Sequence, residues 1–373
     1  MKSKNKRALV TGGAGLIGSH LVDLLVENGY EVTILDSLEP QTHPKGKPDW
    51  INPKAHLIQG SVLNAPDVQR ALEDVNFVFH QAAFGGFTEQ VSKYIDVNVS
   101  GTARIFEQIA TGKFPVKKVV VASSQAVYAE GAYRCVEHGP QFPPVRPLEQ
   151  LKQKKWELQC PQCEKPLKPE LTSEEKSRDA EAAYALSKEF EERIALMAGK
   201  QFGIPVVALR YGVTYGPRQS IFNPYTGVVS IFSTRILNNL APLVYEDGAQ
   251  TRDFVYVKDI VKANLFVMEN EKSSGQVFNV GTGNPTTVAG LAKKLAKIYG
   301  SNIEPELPGQ FRFGDVRHIL LNPKRLNDLG FIASTSLETG LADYAAWIKT
   351  RGRVKEYFSD AYENLKKNRV IMS

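Results

Sequence analysis

Short apolar runs alternate with amphipathic stretches along the first two thirds of the chain. The apolar runs are too short for helices, and the stretches between them repeat apolar positions every three or four residues. The predicted strands are residues 7–11, 31–35, 56–59, 76–80 and 118–122, and the predicted helices include residues 67–72, 94–110 and 180–198. This alternation is typical of a parallel sheet covered by helices on both faces. The predicted fold class is therefore α/β, with a doubly wound parallel sheet.

The last part of the chain continues with a less regular pattern that predicts a smaller C-terminal lobe. Its predicted elements are helices at residues 227–238, 288–299, 337–349 and 354–367 and strands at residues 242–247 and 278–281. We expect residues 1–210 to form the larger domain and residues 211–373 to form mainly the smaller lobe. Within the second part, residues 253–281 are expected to return to the core of the larger domain.

A glycine-rich turn follows the first predicted strand. Gly12, Gly15 and Gly18 have the spacing G-x-x-G-x-x-G, and Leu16 and Ile17 open an apolar-periodic helix. Glycines let the backbone turn tightly and approach a pyrophosphate, whose charge then lies on free N–H groups at the helix N-terminus. The second strand ends at Asp36, and a carboxylate there accepts hydrogen bonds from a ribose and repels a 2′-phosphate. This combination predicts a dinucleotide site that prefers NAD to NADP.

Composition narrows the class of protein. The chain has 373 residues, 42% of them hydrophobic, and a net charge of +6. No run of about 18 apolar residues predicts a membrane span, and the basic N-terminus lacks the apolar core of a signal peptide, so we expect a cytoplasmic protein without a membrane partner. The basic residues gather at the two ends and are not interleaved with aromatic residues, which favours solvated termini over a nucleic-acid partner. Three cysteines exclude a fully paired disulfide framework.

Candidate catalytic residues lie at the end of one predicted strand and on one predicted helix. Ser124 follows directly after the strand predicted at residues 118–122. In a doubly wound sheet, ligands bind at such strand ends. The same serine could instead simply cap the next turn. Tyr184 and Lys188 are four residues apart and therefore share one helix face. A lysine ammonium and a bound nicotinamide favour the phenolate, which can take a proton from a sugar hydroxyl. The other interpretation is an ordinary amphipathic helix.

These motifs together resemble the extended short-chain dehydrogenase/reductases, in particular the NAD-dependent nucleotide-sugar epimerase/dehydratase family with its Rossmann-type domain. The resemblance covers nearly the whole chain, and it matches Ser124, Tyr184 and Lys188 to the catalytic triad. It implies a cofactor site formed by Gly12, Gly15, Leu16, Ile17, Gly18, Asp36, Ser61, Val62, Gln81, Ala82, Ala83, Asn98, Tyr184 and Lys188. It implies a substrate site formed by Ser124, Gln125, Arg218, Asn223, Arg252, Asp315 and Arg317, with the last two arginines on a diphosphate.

The chain also departs from the family pattern. Ser61 stands where relatives often have an aspartate for the adenine, Val213 replaces an asparagine, and Tyr256 replaces a histidine. Gln125 and Ala126 stand where the 4,6-dehydratase branch has an Asp-Glu pair that serves as acid and base. Without those carboxylates, dehydration has no evident proton carriers, which argues against a dehydratase.

An insertion of about residues 130–180 separates Ser124 from Tyr184 and contains every cysteine of the chain. Cys135 and His138 form one pair, and Cys160 and Cys163 form a second pair at the same spacing. Three thiolates and one imidazole suit a tetrahedral Zn²⁺, and a closed metal site stabilises a segment with few large apolar residues. The sequence therefore predicts a structural zinc and a flap over the sugar site. A redox C-x-x-C pair and unconnected cysteines remain the alternatives.

The insertion and the segment from Arg218 to Gly227 resemble the dTDP-L-rhamnose 4-epimerase branch of the family. The function that this resemblance implies is NAD-dependent 4-epimerisation of a nucleotide sugar by transient oxidation at C4. A UDP-hexose 4-epimerase, a 4-ketosugar reductase and a non-catalytic scaffold for NAD or nucleic acid remain alternatives. The family's pairing of the helices equivalent to residues 94–110 and 180–198 implies a homodimer.

Overall fold

The computed structural model describes residues 6–86, 90–223 and 227–373. Its strands are β1 (Arg7–Thr11), β2 (Glu31–Asp36), β3 (His56–Gln59), β4 (Phe77–His80), β5 (Lys118–Ser124), β6 (Ala132–Cys135), β7 (Gly139–Gln141), β8 (Lys168–Thr172), β9 (Val206–Tyr211), β10 (Val213–Tyr215), β11 (Thr251–Tyr256), β12 (Val277–Val280), β13 (Pro285–Thr287) and β14 (His318–Leu321).

The helices are α1 (Leu16–Glu27), α2 (Ala65–Leu72), α3 (Val91–Tyr94), α4 (Gly101–Thr111), α5 (Leu148–Lys152), α6 (Ala183–Phe202), α7 (Val228–Leu237), α8 (Val257–Glu269), α9 (Val288–Ile298), α10 (Lys324–Asp328), α11 (Leu337–Lys349) and α12 (Phe358–Lys367). A π-helical turn, Ile95–Ser100, joins α3 to α4, and short 3₁₀ turns follow β5 and α8. Within the described residues, no helix has the length and apolar character needed to cross a membrane.

Seven parallel strands form the sheet of the larger domain, in the order β12-β9-β5-β4-β1-β2-β3. The chain runs outward from β1 to β3 and then returns to place β4 on the other side of β1. A doubly wound sheet opens a crevice at such a reversal, outside the carboxyl ends of its strands. The predicted α/β fold with a doubly wound parallel sheet is confirmed, and its geometry points to the ends of β1, β4 and β5 for the site.

Helices cover both faces of this sheet. On one face α1 packs against α8, and the fully buried Leu21, Leu25 and Ile260 belong to that core. On the other face α4 packs against α6, with Ile105, Phe106 and Ala195 buried between the helices and the strands. Burying a large apolar side chain contributes roughly 1.5–3 kcal/mol, so the two apolar layers fix the strand ends that carry the site.

A second sheet joins the smaller lobe to the insertion. Its strands run in the order β10-β11-β14-β8-β6-β7, and β13 also pairs with β11. The lobe strand β14 pairs in parallel with β8 of the insertion, and β8 pairs antiparallel with β6. Main-chain hydrogen bonds therefore make the insertion an extension of the lobe's sheet. The role of the insertion as a flap over the sugar site stays a prediction.

Two of the predicted elements of the lobe also differ from the structure. Residues 242–247 were predicted to be a strand, but they make only an isolated bridge, from Leu243 to Glu306, and no ladder. The helix predicted at residues 354–367 begins at Phe358, because the Glu356 carboxylate accepts hydrogen bonds from the N–H groups of Phe358 (2.7 Å) and Ser359 (3.0 Å) and so caps the helix there.

Candidate active site

One cleft of about 1230 Å³ lies between the two sheets, at the carboxyl ends of the parallel strands. Most of the predicted site residues lie in its walls. They are Gly12, Gly15, Leu16, Ile17, Gly18, Asp36, Ser61, Val62, Gln81, Ala82, Ala83, Ser124, Gln125, Tyr184, Asn223, Arg252 and Asp315. The cleft therefore runs from the glycine turn to Arg252 on β11.

The glycine turn packs too tightly for side chains at two positions. A Cβ on Gly12, whose φ is +69°, would lie 2.8 Å from the backbone of Ala82, and a Cβ on Gly18 would lie 2.1 Å from the Gly12 carbonyl oxygen. Gly15 is the N-cap residue directly before α1 and lies in the wall of the cleft. The first N–H groups of a helix lack partners within it, so this helix end offers donors and a partial positive charge to a phosphate.

Asp36 fixes the glycine turn to the end of β2. Its carboxylate accepts hydrogen bonds from the backbone N–H groups of Ala14 (2.9 Å) and Leu38 (2.8 Å). The side chain still lies in the cleft wall, so its remaining lone pairs face the cavity. These residues therefore fit an NAD ribose in two ways: the carboxylate accepts from its hydroxyls and repels a phosphate on the 2′ oxygen.

Tyr184 and Ser124 face the same cavity. The Tyr184 ring packs edge-on against Tyr94, with 6.2 Å between ring centroids, and lies beside Gly85, where a Cβ would be 3.5 Å from the ring. The Ser124 hydroxyl accepts a hydrogen bond of 3.1 Å from the N–H of Ala126. Ser124 therefore caps the turn after β5 and also faces the cleft, and its hydroxyl proton remains able to donate to a ligand.

Lys188 is buried and does not line the cleft. Its ammonium donates a hydrogen bond of 2.6 Å to the carboxylate of Glu191 on the same helix. Burial raises the pKa of the Glu191 carboxyl to about 7, although the neighbouring lysine acts in the opposite direction. The spacing of four residues still places Lys188 under Tyr184 on one face of α6.

Asn98 was predicted as a cofactor residue, but it does not line the cleft. It lies fully buried in the π-helical turn, where its side chain accepts from the Phe84 N–H (2.7 Å) and donates to the Phe84 carbonyl (3.0 Å). It also donates to the Ser187 hydroxyl (2.8 Å). Asn98 therefore ties the cleft residue Phe84 to α6, and its side-chain hydrogen bonds go to protein.

The two arginines that were predicted to bind a diphosphate have different surroundings. Arg252 lies in the cleft wall and is held by the Val316 carbonyl (2.6 Å) and the Asp315 carboxylate (3.2 Å). Arg317 is fully buried outside the cleft and pairs with Glu246 (2.9 Å) and Asp247 (2.7 Å). Carboxylates from distant segments surround its guanidinium, so Arg317 does not line the cleft as predicted.

Arg218 is also absent from the cleft wall, contrary to the prediction. It pairs with Asp23 at 2.7 Å and has a positive φ of 68° that turns the chain at this point. Asn223 from the same segment does line the cleft. Pro224, Tyr225 and Thr226 of the motif lie outside the described residues.

The sequence interpretation missed two further walls of the cleft. The segment of residues 39–43 crosses to the smaller lobe, where the Gln41 amide donates to Asn223 (3.4 Å) and the Ser220 hydroxyl donates to the Thr42 carbonyl (3.3 Å). Near the C-terminus, Leu365, Asn368 and Val370 also line the cleft. The first segment has no periodicity, and the second includes the end of the predicted helix α12, but no local signal in either segment places it at the site.

The cysteines and histidine of the insertion come together in one cluster. All four ligand atoms of Cys135, His138, Cys160 and Cys163 lie within 4.8 Å of one another. His138 Nδ1 is 3.5 Å from the sulfurs of Cys135 and Cys160, and the Cys135 and Cys163 sulfurs are 3.6 Å apart. Tetrahedral zinc separates two sulfurs by about 3.8 Å and a sulfur from a nitrogen by about 3.5 Å, so the donor set fits that ion.

Comparison with known proteins agrees with this geometry. The NAD dependent epimerase/dehydratase family matches residues 8–154 and 160–281. The dTDP-L-rhamnose 4-epimerase of Burkholderia thailandensis is 32% identical over 92% of this chain and 95% of its own length. A putative UDP-glucose 4-epimerase of Methanocaldococcus jannaschii is 34% identical over 92% of this chain and 99% of its own.

Solved structures give the same result. The UDP-glucose 4-epimerase of Thermotoga maritima with UDP-glucose has a TM-score of 0.76 and 31% identity, over 92% of this chain and 99% of that one. The Thermus thermophilus UDP-glucose 4-epimerase complex with NAD has a TM-score of 0.72 and 28% identity, over 93% of this chain and 100% of that one. The predicted enzyme class, an NAD-dependent nucleotide-sugar epimerase, is confirmed. The chain belongs to the NAD dependent epimerase/dehydratase family.

Proposed function

We propose that this chain interconverts the C4 epimers of a nucleotide-linked 6-deoxyhexose, with dTDP-L-rhamnose as the first candidate substrate. The observation that carries the proposal is the continuous cleft from the glycine turn, past Tyr184 and Ser124, to Arg252. The cleft is large enough for NAD and a sugar nucleotide together, with the two candidate catalytic hydroxyls in its walls. The similarity to the Burkholderia thailandensis enzyme supports the choice of sugar nucleotide.

The chain's own residues supply the proton chemistry. Tyr184, as phenolate, takes the proton of the C4 hydroxyl, and Ser124 donates a hydrogen bond to the same oxygen. The Lys188 ammonium beneath them favours the phenolate, and Arg252 offers a positive charge to the diphosphate. NAD, held by the glycine turn and Asp36, would supply the acceptor and donor of the C4 hydride.

The walls near Ser124 favour a sugar without a charged or hydroxylated C6. Gln125 and Ala126 follow the serine, and the cleft lining also includes the apolar residues Ala129, Val145 and Ile319. Apolar groups suit the methyl group of a 6-deoxyhexose, because a hydroxymethyl group loses hydrogen bonds to water there. The absence of a carboxylate at positions 125 and 126 also supports epimerisation over dehydration.

A second candidate substrate is a UDP-hexose. It is favoured by the similarity to the Methanocaldococcus jannaschii protein and to the Thermotoga maritima structure, which contains UDP-glucose. Both candidates use the same residues and the same chemistry. They differ in the base and in the substituent at C6, so substrate competition separates them.

The experiment is proton NMR of the purified protein with dTDP-L-rhamnose, UDP-glucose or UDP-galactose, without added reductant. We expect signals of the C4 epimer of dTDP-L-rhamnose, their loss in Tyr184→Phe, and their retention in Tyr30→Phe, whose hydroxyl bonds Glu269 away from the cleft. Turnover of UDP-hexoses alone would establish the second candidate. A stoichiometric need for NADH would indicate a ketosugar reductase, and NAD binding without any turnover would indicate a scaffold.

We also propose that the insertion binds one structural Zn²⁺ through Cys135, His138, Cys160 and Cys163. The distances between the donor atoms support this, and a four-ligand set of this type is typical of closed, non-catalytic sites. The ion would fix the end of β6 to the turn containing Cys160 and Cys163, in a segment whose own apolar core is small.

The chain is further proposed to form a homodimer through α6 and the α3–α4 helix. Leu186, Phe190 and Met197 of α6 are 37%, 45% and 55% exposed, and Val91 and Ile95 are 57% and 39% exposed. Their spacing places each set on one helix face. Exposed apolar faces of this kind on neighbouring helices are typical of protein interfaces.

A further inference from the structure

The buried carboxylate of Glu191 has no role in the chemistry described above, although it is the group bound to Lys188. Its Oε2 atom accepts the hydrogen bond of 2.6 Å from the lysine ammonium. Its Oε1 atom is buried and has no hydrogen-bond partner among the described residues. Both side chains are at most 2% exposed, so water contributes little to either charge. Burying a carboxylate costs stability unless a partner charge and hydrogen bonds compensate for the lost water.

Other ionisable groups pack around this pair from three elements. His80 of β4 has its Nε2 atom 3.9 Å from Glu191, but burial, with the nearby lysine, lowers its pKa to about 3, so the imidazole is neutral. Glu192 of α6 is bound by Arg210 of β9 at 2.7 Å. Burial, with Glu191 a smaller cause, raises the pKa of Tyr211 of β9, so that phenol is also neutral.

Glu191 and Lys188 are therefore the principal counter-charges of each other. We propose that Glu191 is a positioning residue that holds the Lys188 ammonium beneath Tyr184 and, by its own charge, sets the pH range in which Tyr184 works as a base. This inference rests on the proposed function and deepens it. An anionic Glu191 offsets the lysine charge and makes loss of the tyrosine proton harder, whereas a protonated Glu191 leaves the full ammonium charge beside the phenol.

In this proposal the charges of Glu191 and Tyr184 act on each other through the lysine between them. Burial raises the pKa of Glu191 to about 7, so its ionisation falls in the range in which the enzyme works. As the pH rises, each ionisation hinders the other, and the rise in activity spreads over a wider range than one group gives. Glu191→Gln keeps an acceptor for Lys188 and removes the titration.

The first test compares the pH profiles of kcat/KM for the wild type, Glu191→Gln and the control Glu189→Gln. Glu189 lies on the same helix and pairs with Arg193 and Arg178, outside the cleft wall. We expect the acid limb of Glu191→Gln to be steeper and its midpoint to lie lower by about half a pH unit, which raises kcat/KM on that limb about threefold. Profiles that coincide for the wild type and both variants would overturn the inference.

The second test does not depend on turnover. The holoenzyme is labelled at tyrosine Cζ, and NMR follows the Tyr184 resonance, assigned by its absence in Tyr184→Phe. We expect Glu191→Gln to shift the titration of this resonance to lower pH, whereas Glu189→Gln leaves it unchanged; an unshifted resonance would refute the role of Glu191. If no nucleotide sugar is turned over, the proposed function fails while this measurement still decides the charge coupling.

Discussion

The Arg146 guanidinium of the insertion donates two hydrogen bonds, of 3.0 and 2.8 Å, to the two carboxylate oxygens of Glu246 in the smaller lobe. Both side chains are at most 4% exposed. Arg317 binds the same carboxylate at 2.9 Å, and its carbonyl accepts a hydrogen bond from Arg252 in the cleft wall. Buried charges thus connect the insertion to the end of the cleft that contains Arg252.

Glu246→Gln is expected to destabilise the fold strongly. The substitution removes the negative charge shared by two buried arginines, and breaking a buried ion pair on one side costs about 3–5 kcal/mol. The measurement is the free energy of unfolding in urea. The matched control is Glu338→Gln, which breaks the exposed pair with Lys294 and is expected to cost less than about 1 kcal/mol. Equal losses in the two variants would contradict this account of the buried pair.

The proposed zinc site predicts one zinc ion per chain by elemental analysis. Cys160→Ser and His138→Ala are expected to lose the metal, because each removes one of four ligands, and to melt at lower temperature because the insertion loses its cross-link. His56→Ala is the control, since His56 is exposed at the start of β3 and lies outside the cluster. Full metal content in both ligand variants would exclude the site.

Local patterns predicted the parts of the molecule that depend on neighbouring residues in the sequence. The helix predicted at residues 337–349 has those same bounds in the structure, because Ser336 caps it through the Thr339 N–H at 3.1 Å. The glycine turn and Asp36 were placed for the same reason, since a strand, a turn and a helix in sequence define them. The contact of Lys188 with Glu191 is also local and could have been predicted from their spacing of three residues.

Distant contacts determine the features that local patterns did not predict. Arg317 is buried because Glu157, Glu246 and Asp247 meet at its guanidinium, and no local pattern at Arg317 indicates them. The insertion joins the lobe through pairing of β8 with β14, two strands far apart in the sequence. Asn98 turned inward because its partners, Phe84 and Ser187, come from two other segments. Motif matching assigned these residues by type, while the packing decided their surroundings.

Asp36→Asn is expected to weaken NAD binding and to relax discrimination against NADP. An amide has one acceptor oxygen, so it keeps only one of the two hydrogen bonds from Ala14 and Leu38, and it lacks the charge that repels a 2′-phosphate. We expect the Kd for NAD to rise about tenfold and the ratio of the two affinities to fall, because a hydrogen bond to a charged group is worth about 1.5–3 kcal/mol. Fluorescence titration with both cofactors measures this. An unchanged ratio would mean that Asp36 does not face the ribose.

The contribution of His80 to stability is expected to fall as the pH drops below about 6.5. The folded-state pKa of this buried imidazole is lowered to about 3, while the unfolded chain binds the proton near 6.5. The stabilisation is therefore complete above 6.5 and is lost progressively down to about 3, by up to about 1.4 kcal/mol per pH unit. Between about pH 7.5 and 5.5, the free energy of unfolding of His80→Gln is expected to fall by about 1.4 kcal/mol less than that of the wild type. His56→Gln, at an exposed site, should retain the full dependence.

Phe190 and Met197 of α6 lie in the proposed dimer interface, so substitutions at these positions test it. A carboxylate at either position is expected to separate the subunits, because a charge buried between apolar faces lacks a partner. Light scattering should then give the mass of one chain, 41.3 kDa, for Phe190→Glu and Met197→Glu, and twice that mass for the wild type. Ile332→Glu is the control, because Ile332 is 65% exposed outside α6 and the α3–α4 helix, so its charge should leave the dimer intact. A wild type with the mass of one chain would show that these helix faces serve another purpose.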